Sequence, residues 1–407
     1  MKKKKNRWPH KPNRLLYALA VFVVYPYFKL RYRMKIDRQA MRGLKGPMMV
    51  VANHGSNIDF LCACLALYPR RMNIVTSNYF FQNKWLAPIL HFMGAIPKRQ
   101  FVPDSGTIRG VIGAIKRGGN VLLFPSGQVL AHGVGGFFPP GLGKLLKSQR
   151  VPVVTVRIQG AYLSLPKWAK HQRFGQIHVT AAPLYLPDQL EQMSAQQVQD
   201  GVEQALAFNE YAWQKEKKIV FRGRRQAEGL QDILMECPRC GAQLKTIAKG
   251  NELICTACAN TAVLDTYGFL HPKTPADMVL EDPQQWYSWQ EANMRKRVQE
   301  SGFRFACKAE LRLPLRPGRP YEHVGEGVVY VDSGGLGYRG TLEGNDADLY
   351  FPAREVATLP FSTGDHFEIP STETMYCFYP EQGQATIYFV MALNALHANQ
   401  EKNKQAP

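Results

Sequence analysis

The chain has 407 residues, of which 45% are hydrophobic, so it is too long for one ordinary domain and has ample apolar material for two or three buried cores. Its formal net charge of +19 indicates an anionic partner, and nucleic acid and anionic lipid are the candidates that charge alone leaves open. Of the 8 cysteines, two close pairs have metal-ligand spacing and the others suggest no disulfide framework, which is typical of a reducing compartment.

Residues 1–40 are predicted to form a basic membrane-anchoring segment. Lysines and arginines at positions 2–5, 7, 11 and 14 precede an uncharged run over residues 15–28, and basic residues at positions 29, 31 and 33 follow it. The run is shorter than the about 20 apolar residues of a spanning helix, so it predicts an interfacial or re-entrant anchor, and Pro26 is expected to interrupt any longer helix. The alternatives are a core helix and a secretory signal peptide, although no small-residue cleavage site precedes Pro26.

Residues 41–225 are predicted to form the next domain. From residue 47 to about residue 160, short apolar runs alternate with helical patterns, which is typical of βαβ units. Strands are predicted at residues 48–52, 72–76, 121–124 and 153–158. Helices are predicted at about residues 58–68, 79–92, 105–116 and 194–213. We therefore expect an α/β domain with a mixed sheet and flanking helices, which ends at the basic stretch 215–225.

A histidine and an aspartate follow the first of these predicted strands. His54 comes two residues after the apolar run 48–52, and Asp59 lies in the first turn of the next predicted helix, where the sites of α/β proteins form. A carboxylate on one imidazole nitrogen fixes the tautomer and stabilises the imidazolium that forms when the other nitrogen takes a proton from an alcohol. His54 and Asp59 are therefore candidates for a general base and its orienting carboxylate. A polar loop with a helix cap at Asn57 or Asp59 is the alternative.

Three further motifs follow in order. They are Gly-Ala-Ile-Pro-Lys-Arg at residues 94–99, Leu-Phe-Pro-Ser-Gly at residues 123–127 and Val-Pro-Val at residues 151–153. The arginine of the first suits a phosphate because its planar fork binds two oxygens, although a solvated basic loop is the alternative. Together with Asn-His-x4-Asp at residues 53–59, these motifs resemble the four blocks of the glycerolipid acyltransferases, the family that includes 1-acylglycerol-3-phosphate acyltransferase.

The resemblance covers about residues 45–160 and implies transfer of a fatty acyl group from acyl-CoA or acyl carrier protein to a hydroxyl of a lysophospholipid, in membrane phospholipid synthesis. It implies that His54 is the general base, that Asp59 orients it and that no covalent enzyme intermediate forms. It also implies that the substrate-binding residues are Asn53, Lys98, Arg99, Ser126 and Gly127. Cys62 and Cys64 suggest an acyl-cysteine route, but cysteines in an apolar helical pattern are commonly small buried hydrophobic residues.

One motif departs from the family pattern. Ser126 stands where the family usually has a glutamate, and Gln128 and Val129 replace the Thr-Arg that often follows. The departure removes a carboxylate and a cation from the acceptor pocket that the resemblance implies. It predicts an acceptor other than lysophosphatidate, with a larger or less charged head group, although Lys98 and Arg99 still suit a phosphate.

Residues 226–270 are predicted to form a zinc ribbon. Cys237 and Cys240 form one pair and Cys255 and Cys258 the other, each enclosing two residues, with fourteen residues between the pairs. Four thiolates at this spacing can close a tetrahedral structural zinc site. A redox dithiol and an iron site of the rubredoxin kind are the alternatives.

Residues 271–400 are predicted to form a helical connector, with a helix at about 284–299, and a small antiparallel β domain from about residue 307 to 396. Its short strands, followed by a predicted helix at 390–397, resemble a PH or GRAM module, which would bind lipid head groups or a protein. A β domain that packs on the ribbon or mediates dimers is the alternative. Asp365, His366 and Cys377 show no recognisable constellation, so they are interpreted as structural.

The leading hypothesis is a peripheral or monotopic acyltransferase on the cytoplasmic face of the cell membrane. Its partners would be membrane lipids, a lysophospholipid acceptor and acyl-CoA or acyl carrier protein, with zinc as a structural cofactor and no nucleic acid. A second hypothesis keeps the fold and changes the acceptor to an amino-acid lipid or a glycolipid. A third is a non-enzymatic zinc-ribbon protein that binds nucleic acid, to which the charge of +19 is also suited.

Overall fold

The structure is a computed structural model that describes residues 9–99, 104–135, 138–315, 321–356, 358–371 and 374–405, with side chains as far as residue 400. The chain divides into two compact units. The first comprises Met1–Pro166 and Phe174–Arg222, and the second comprises Lys167–Arg173 and Gly223–Pro407. The basic residues at positions 2–5 and 7, which belong to the predicted membrane-anchoring segment, lie outside the described residues.

The first unit is built on a seven-stranded sheet. Its strands are β1 (Lys35–Asp37), β2 (Met49–Ala52), β3 (Met72–Ser77), β4 (Ile96–Lys98), β5 (Asn120–Leu123), β6 (Val153–Gln159) and β7 (His178–Tyr185). They lie in the order β1-β7-β6-β2-β5-β3-β4. The paired strands of this sheet are parallel except β6 and β7, which are antiparallel. The predicted mixed sheet is confirmed.

Nine helices of the described chain accompany this sheet. They are α1 (Arg14–Arg31), α2 (Asp59–Leu67), α3 (Leu86–Phe92), α4 (Ser105–Lys116), α5 (Leu142–Gln149), α6 (Ala161–Ser164), α7 (Pro187–Gln192), α8 (Ala195–Leu206) and α9 (Glu210–Lys217). The central strand β2 serves two cores, because Val50 and Ala52 pack into one apolar cluster and Met49 and Val51 into another. This alternation follows from the two-residue period of a strand.

Two predicted helices are each divided in the structure. The helix predicted over 79–92 is a short 3-10 turn, Asn78–Gln82, followed by α3, because the side chain of Asn83 accepts hydrogen bonds from the backbone N–H groups of Trp85 and Leu86. The helix predicted over 194–213 is α8 followed by α9, because the side chain of Asn209 caps a new helix at Glu210. Single asparagines therefore set both boundaries.

The expectation that Pro26 interrupts the first helix is wrong. α1 has 18 residues and runs through Pro26. Proline removes one N–H donor but leaves the hydrogen bonds on either side, and the helix still closes with the N–H of Tyr32 donating to the carbonyl of Phe28 at 3.1 Å. None of the helices in the described part of the chain combines the length and the apolar character that crossing a bilayer requires.

The second unit contains two antiparallel sheets. The smaller has the order β11-β10-β9-β8 and consists of β8 (Thr246–Lys249), β9 (Glu252–Cys255), β10 (Thr261–Leu264) and β11 (Leu270–Pro272). The larger has the order β15-β14-β13-β12-β18-β17-β16 and consists of β12 (Arg304–Leu313), β13 (Glu322–Asp332), β14 (Gly335–Leu342), β15 (Asn345–Pro352), β16 (Phe361–Ser362), β17 (His366–Pro370) and β18 (Met375–Pro380). The unit also contains the helices α10 (Pro283–Arg297) and α11 (Ala385–Gln405). The predicted antiparallel β domain is confirmed, and its final helix is longer than expected.

Candidate functional site

His54 and Asp59 meet at the carboxyl end of β2. The Nδ1 atom of His54 lies 3.2 Å from Oδ2 of Asp59. The side chain of Asp59 is 1% exposed and that of His54 is 18% exposed, so the carboxylate is enclosed while the imidazole reaches the surface. Nδ1–H donates to the carboxylate, which leaves Nε2 as the nitrogen that can take a proton.

The backbone holds Asp59 in place. The N–H of Ser56 donates to Oδ2 of Asp59 at 2.8 Å, the same oxygen that faces His54. Burial raises the pKa of Asp59, whereas the hydrogen bond and the charge interaction with His54 lower it. The alternative of a simple helix cap does not describe this turn, because α2 begins after Ile58 without a side-chain cap. The carboxylate instead depends on the imidazole and the Ser56 amide for its polar partners.

The strand end that carries His54 is tied to the neighbouring strand. Nδ2 of Asn53 donates to the carbonyl of Ile158 at 2.7 Å, and the N–H of Ile158 donates to Oδ1 of Asn53 at 2.7 Å. Asn53 is only 3% exposed. Both polar atoms of this side chain therefore serve to position the backbone next to His54, and its predicted contact with substrate stays a prediction.

The turn after β5 packs directly against His54. The rings of Phe124 and His54 have their centroids 4.4 Å apart, and the N–H of Leu130 donates to the carbonyl of His54 at 3.1 Å. Gly127 has φ of +70°, which favours glycine, and its N–H donates to the carbonyl of Phe124 at 3.0 Å. The hydroxyl of Ser126 donates to the carbonyl of Gln128 at 3.0 Å. The Leu-Phe-Pro-Ser-Gly motif at residues 123–127, which departs from the family pattern at Ser126, thus forms a tight turn beside the imidazole of His54.

The basic pair lies at the same edge of the sheet, where Lys98 is the last residue of β4 and Arg99 follows it. β2 and β4 are parallel through the intervening β5 and β3, so their carboxyl ends face the same way about 14 Å apart, three strand spacings. Lys98 is half-buried, and burial lowers its pKa while Asp104 raises it. Arg99 is exposed, and its N–H donates to Oδ2 of Asp104 at 2.9 Å. The geometry places two cations on the His54 edge without direct contact.

Two buried groups near the site escaped the sequence interpretation. Oε2 of Glu210 accepts a hydrogen bond from the N–H of Gly160 at 2.8 Å, and burial, with the Asp59 carboxylate as a smaller cause, raises the pKa of Glu210 to about 8. Burial lowers the pKa of His132, on the loop after β5, to about 4. No sequence pattern marks either residue, because the enclosure of Glu210 arises from residues about 50 positions away.

Cys62 and Cys64 lie inside α2 and are both buried. Burial raises the pKa of Cys62 and raises that of Cys64 to about 11. A thiolate is the reactive form of cysteine, so both thiols are held in the unreactive state. This supports their interpretation as packed apolar residues rather than as acyl carriers.

In the second unit, the four predicted metal ligands converge. The sulfur atoms of Cys237, Cys240, Cys255 and Cys258 all lie within 4.8 Å of one another. Two of the sulfur pairs are 3.7 and 3.8 Å apart. Sulfur atoms on a tetrahedral zinc are also about 3.8 Å apart, given Zn–S bonds of about 2.3 Å. The donor set therefore fits a structural zinc ion.

Backbone hydrogen bonds close the two turns that carry the cysteine pairs. The N–H of Gly241 donates to the carbonyl of Cys237 at 2.9 Å, and the N–H of Ala259 donates to the carbonyl of Cys255 at 2.9 Å. Gly241 and Ala259 both have positive φ, +70° and +60°. The backbone N–H of Ala242 lowers the pKa of Cys240 to about 7. The two turns repeat the same geometry, as a ribbon of four cysteine ligands requires.

Comparison with known proteins identifies the domain that carries His54. The model of the Acyltransferase family matches residues 31–159. The 1-acyl-sn-glycerol-3-phosphate acyltransferase of Bacillus subtilis (strain 168) is 21% identical over 145 residues, which are 36% of this chain and 72% of that protein. The residues that the family model matches include His54, Lys98 and Ser126.

Two solved structures show weak similarity to this chain. The 1-acyl-sn-glycerophosphate acyltransferase PlsC of Thermotoga maritima matches with a TM-score of 0.35 at 17% identity, over 47% of this chain and 94% of that chain. The N-terminal PH domain of human ARAP2 matches with a TM-score of 0.21 at 15% identity, over 26% of this chain and 90% of that chain. The sequence matches and the motif geometry lead to one conclusion: this chain is an acyltransferase whose acyltransferase domain, residues 31–159, resembles that of 1-acylglycerol-3-phosphate acyltransferase.

Proposed function

We propose that the chain transfers a fatty acyl group from acyl-CoA or acyl carrier protein to a hydroxyl of a lysophospholipid, with His54 as general base. The observation that carries the proposal is the 3.2 Å contact between Nδ1 of His54 and the buried carboxylate of Asp59. It leaves Nε2 without a hydrogen-bond partner among the residues that the structure describes. A substrate hydroxyl is the partner that this nitrogen lacks.

The proposed reaction has a single acyl-transfer step. Nε2 of His54 takes the proton of the acceptor hydroxyl while the oxygen of that hydroxyl forms a bond to the thioester carbonyl carbon. The carbon–sulfur bond breaks, and the leaving thiolate receives the proton from the imidazolium. Asp59 stabilises the imidazolium by its negative charge, which its enclosure keeps from being screened by water. No bond to the enzyme forms at any stage.

The acceptor is proposed to carry a phosphate that Lys98 and Arg99 bind. Lys98 ends β4 and Arg99 follows it, on the same sheet edge as His54, so a lipid whose hydroxyl and phosphate are separated by several bonds can reach both sites. Ser126 gives the turn beside His54 a neutral side chain where related acyltransferases usually have a carboxylate. We therefore propose a lysolipid with a larger or less charged head group than lysophosphatidate, and an amino-acid lipid or glycolipid acceptor is the second candidate.

An acceptor panel tests this proposal. The purified chain is supplied with labelled acyl-CoA, or with acyl carrier protein charged with the same acyl chain, and with lysophosphatidate, lysolipids of larger head groups and glycolipids. Transfer to at least one lysophospholipid is expected, and His54→Ala removes it while the exposed-histidine control His323→Ala retains it. Turnover fastest by a wide margin on lysophosphatidate would refute the altered acceptor. Equal activity of His54→Ala and wild type would refute the general base.

The surface of α1 supports binding to a membrane from one side. Leu15, Leu19, Phe22, Val23 and Leu30 are between 57% and 79% exposed. Their spacing places them along one stripe of the helix. An exposed apolar stripe between basic flanks is typical of a helix that lies in the interface of an anionic bilayer.

The basic groups near the end of α1 support the same placement. Arg31, Arg33 and Arg222 are among the residues that line a cavity of about 530 Å³. Each Lys or Arg close to an anionic surface adds about 1 kcal/mol of attraction. We propose that this face contacts the cytoplasmic leaflet as a peripheral or monotopic protein.

Vesicle sedimentation tests the membrane proposal. Wild-type protein is expected to sediment with vesicles that contain anionic phospholipid, and Phe22→Glu is expected to weaken the association at least tenfold because it places a charge in the apolar stripe. Leu186→Glu is the matched control, since Leu186 is 44% exposed in the same unit but lies outside α1. Equal sedimentation of Phe22→Glu and wild type would contradict the proposal.

A structural zinc ion held by the four cysteines is the proposed cofactor of the second unit. A four-stranded sheet of short strands encloses little hydrophobic core. A zinc ion bound to the four cysteines would supply part of the stability that such a core provides in larger domains. The acyltransferase domain excludes the hypothesis of a non-enzymatic protein. Nucleic acid is not part of the proposed function.

A further inference from the structure

The hairpin of β17 and β18 brings three metal-binding side chains together outside the cysteine ribbon. His366 and Glu368 are two residues apart on β17, so they share one face of the strand. Glu368 pairs directly with Cys377 on β18 in the antiparallel register. One ligand atom from each of His366, Glu368 and Cys377 lies within 4.8 Å of the others. His366 and Cys377, for which the sequence indicates no constellation, therefore adjoin Glu368 in the folded chain.

The histidine of this cluster is oriented as metal ligands are. Nδ1 of His366 lies 2.7 Å from the carboxylate of Asp365, and Nε2 lies 3.6 Å from the carboxylate of Glu368. With Nδ1–H donating to Asp365, the lone pair of Nε2 points toward Glu368. A carboxylate on the far nitrogen of a ligating histidine fixes its tautomer and raises its basicity. The pair Asp365 and His366 thus supplies an oriented nitrogen donor.

The cysteine of the cluster is shielded and has a polar neighbour. Cys377 is fully buried, and its sulfur shares a hydrogen bond with the hydroxyl of Tyr379. The guanidinium of Arg312 lies 4.1 Å from the centre of the Tyr379 ring. Burial raises the pKa of this thiol, so a metal that binds here displaces the thiol proton.

Two neighbouring cations, Lys167 and Arg312, oppose a bound metal ion. Lys167 interacts with the charge of Glu368, and its ammonium lies 3.7 Å from the centre of the Phe361 ring. Against these two cations stand three groups that carry negative charge when a metal is bound, Asp365, Glu368 and the Cys377 thiolate. The local balance therefore favours a divalent cation.

We infer that His366, Glu368 and Cys377 bind a divalent transition metal of the zinc class, separately from the four-cysteine ribbon. The donors are one imidazole nitrogen, one carboxylate oxygen and one thiolate sulfur, a set that suits zinc and excludes magnesium and calcium, which prefer oxygen ligands. Three protein ligands leave a fourth tetrahedral position for water or another small ligand. The fold thus holds one closed site of four sulfurs and one open site of mixed donors.

Metal counting on the intact chain tests the inference. The full-length protein is stripped with a chelator, reloaded with zinc alone, passed through gel filtration and analysed for zinc per chain. The wild type is expected to hold two zinc ions, and His366→Ala is expected to hold one. Cys307→Ser is the matched control, because Cys307 lies on β12 outside both clusters and should leave two.

The ribbon variant separates the two sites. Cys240→Ser with Cys258→Ser removes two ligands of the ribbon and should leave one zinc ion, held by the mixed site. Cobalt(II), loaded in place of zinc, then reports the donor set through its thiolate charge-transfer absorption. In the double variant this absorption should correspond to one sulfur ligand, that of Cys377. Glu368→Gln, which keeps the shape of the side chain, is a second test of the mixed site that does not depend on the folding of the histidine variant.

Two results would overturn the inference. The first is a wild-type content of one zinc ion that is unchanged in His366→Ala and in Glu368→Gln, which would make the cluster a hydrogen-bonded network only. The second is a second zinc ion that Cys307→Ser loses as readily as His366→Ala does, which would show adventitious binding. Thermal unfolding of each variant shows that a lost ion is not the result of a lost fold.

Discussion

The side-chain amide of Asn53 exchanges two hydrogen bonds of 2.7 Å with the backbone of Ile158, 105 residues further along the chain. This pair connects the carboxyl end of β2 to β6. His54 follows Asn53 directly, so the position of the imidazole depends on a contact that is remote in sequence.

Asn53→Ala is expected to lower both stability and activity. It leaves the buried N–H and carbonyl of Ile158 unpaired, at a cost of about 2–6 kcal/mol of unfolding free energy, since each unpaired group costs about 1–3 kcal/mol. Urea unfolding measures the loss. Asn345→Ala, an exposed asparagine, is the control and should change stability by less than about 0.5 kcal/mol. An unfolding free energy within that range for Asn53→Ala would contradict the positioning role.

Asp59→Asn is expected to lower kcat more than it raises KM. The amide keeps the size of the side chain but supplies no negative charge to the imidazolium, and the loss of effective general base catalysis is worth about 10²–10⁴-fold in rate. Steady-state kinetics with a fixed acyl donor checks this split. Asp200→Asn, an exposed carboxylate on α8, should behave as wild type. An Asp59→Asn rate within threefold of wild type would mean that the carboxylate does not assist His54.

Glu210 is expected to make the first unit less stable as pH rises. Its folded-state pKa of about 8 exceeds its ordinary value of 4.5, so the folded protein keeps a proton that the unfolded chain has lost. The stability from this proton is complete below about pH 4.5 and is lost as pH rises through about 8. Between these limits the slope approaches about 1.4 kcal/mol per pH unit.

Glu210→Gln isolates this effect, because glutamine resembles the protonated acid and does not titrate. Urea unfolding of both proteins between pH 5 and 8 should show a steeper decline for wild type than for the variant. Parallel curves would show that Glu210 is ionised in the folded protein. Glu203→Gln on α8, whose carboxylate has no such enclosure, is the control and should retain the wild-type slope.

Removal of the ribbon metal is expected to unfold the four-stranded sheet of the second unit. Cys240→Ser should lose one zinc ion and expose residues 226–270 to limited proteolysis, since binding free energy at a structural zinc site is folding free energy. Wild type treated with a strong chelator should show the same cleavage. Unchanged zinc content in Cys240→Ser would exclude the four-cysteine site. Acyl transfer by this variant reports separately whether the first unit works without the ribbon.

The sequence alone predicted those features that depend on short spacings. His54 and Asp59 are five residues apart across one turn, so a strand followed by a helix is sufficient to bring them near. The two cysteine pairs each close a local turn at Gly241 or Ala259, and their spacing is readable without a fold. Four strands of the mixed sheet, β2, β3, β5 and β6, were likewise predicted from local apolar runs, because buried parallel strands are continuous hydrophobic segments. The strands β1, β4 and β7 were not predicted.

The tertiary structure decided the features that join distant segments. The enclosure of Glu210 needs Gly160, and the fixing of the His54 loop needs Ile158. The cluster of His366 and Cys377 depends on the register of β17 and β18, and a shift of one residue would turn one side chain to the other face of the sheet. Register and burial are set by the sum of many packing contacts across the fold, which no local pattern encodes. The sequence by itself therefore determined the kind of chemistry at His54, and only the folded chain determined which other groups surround it.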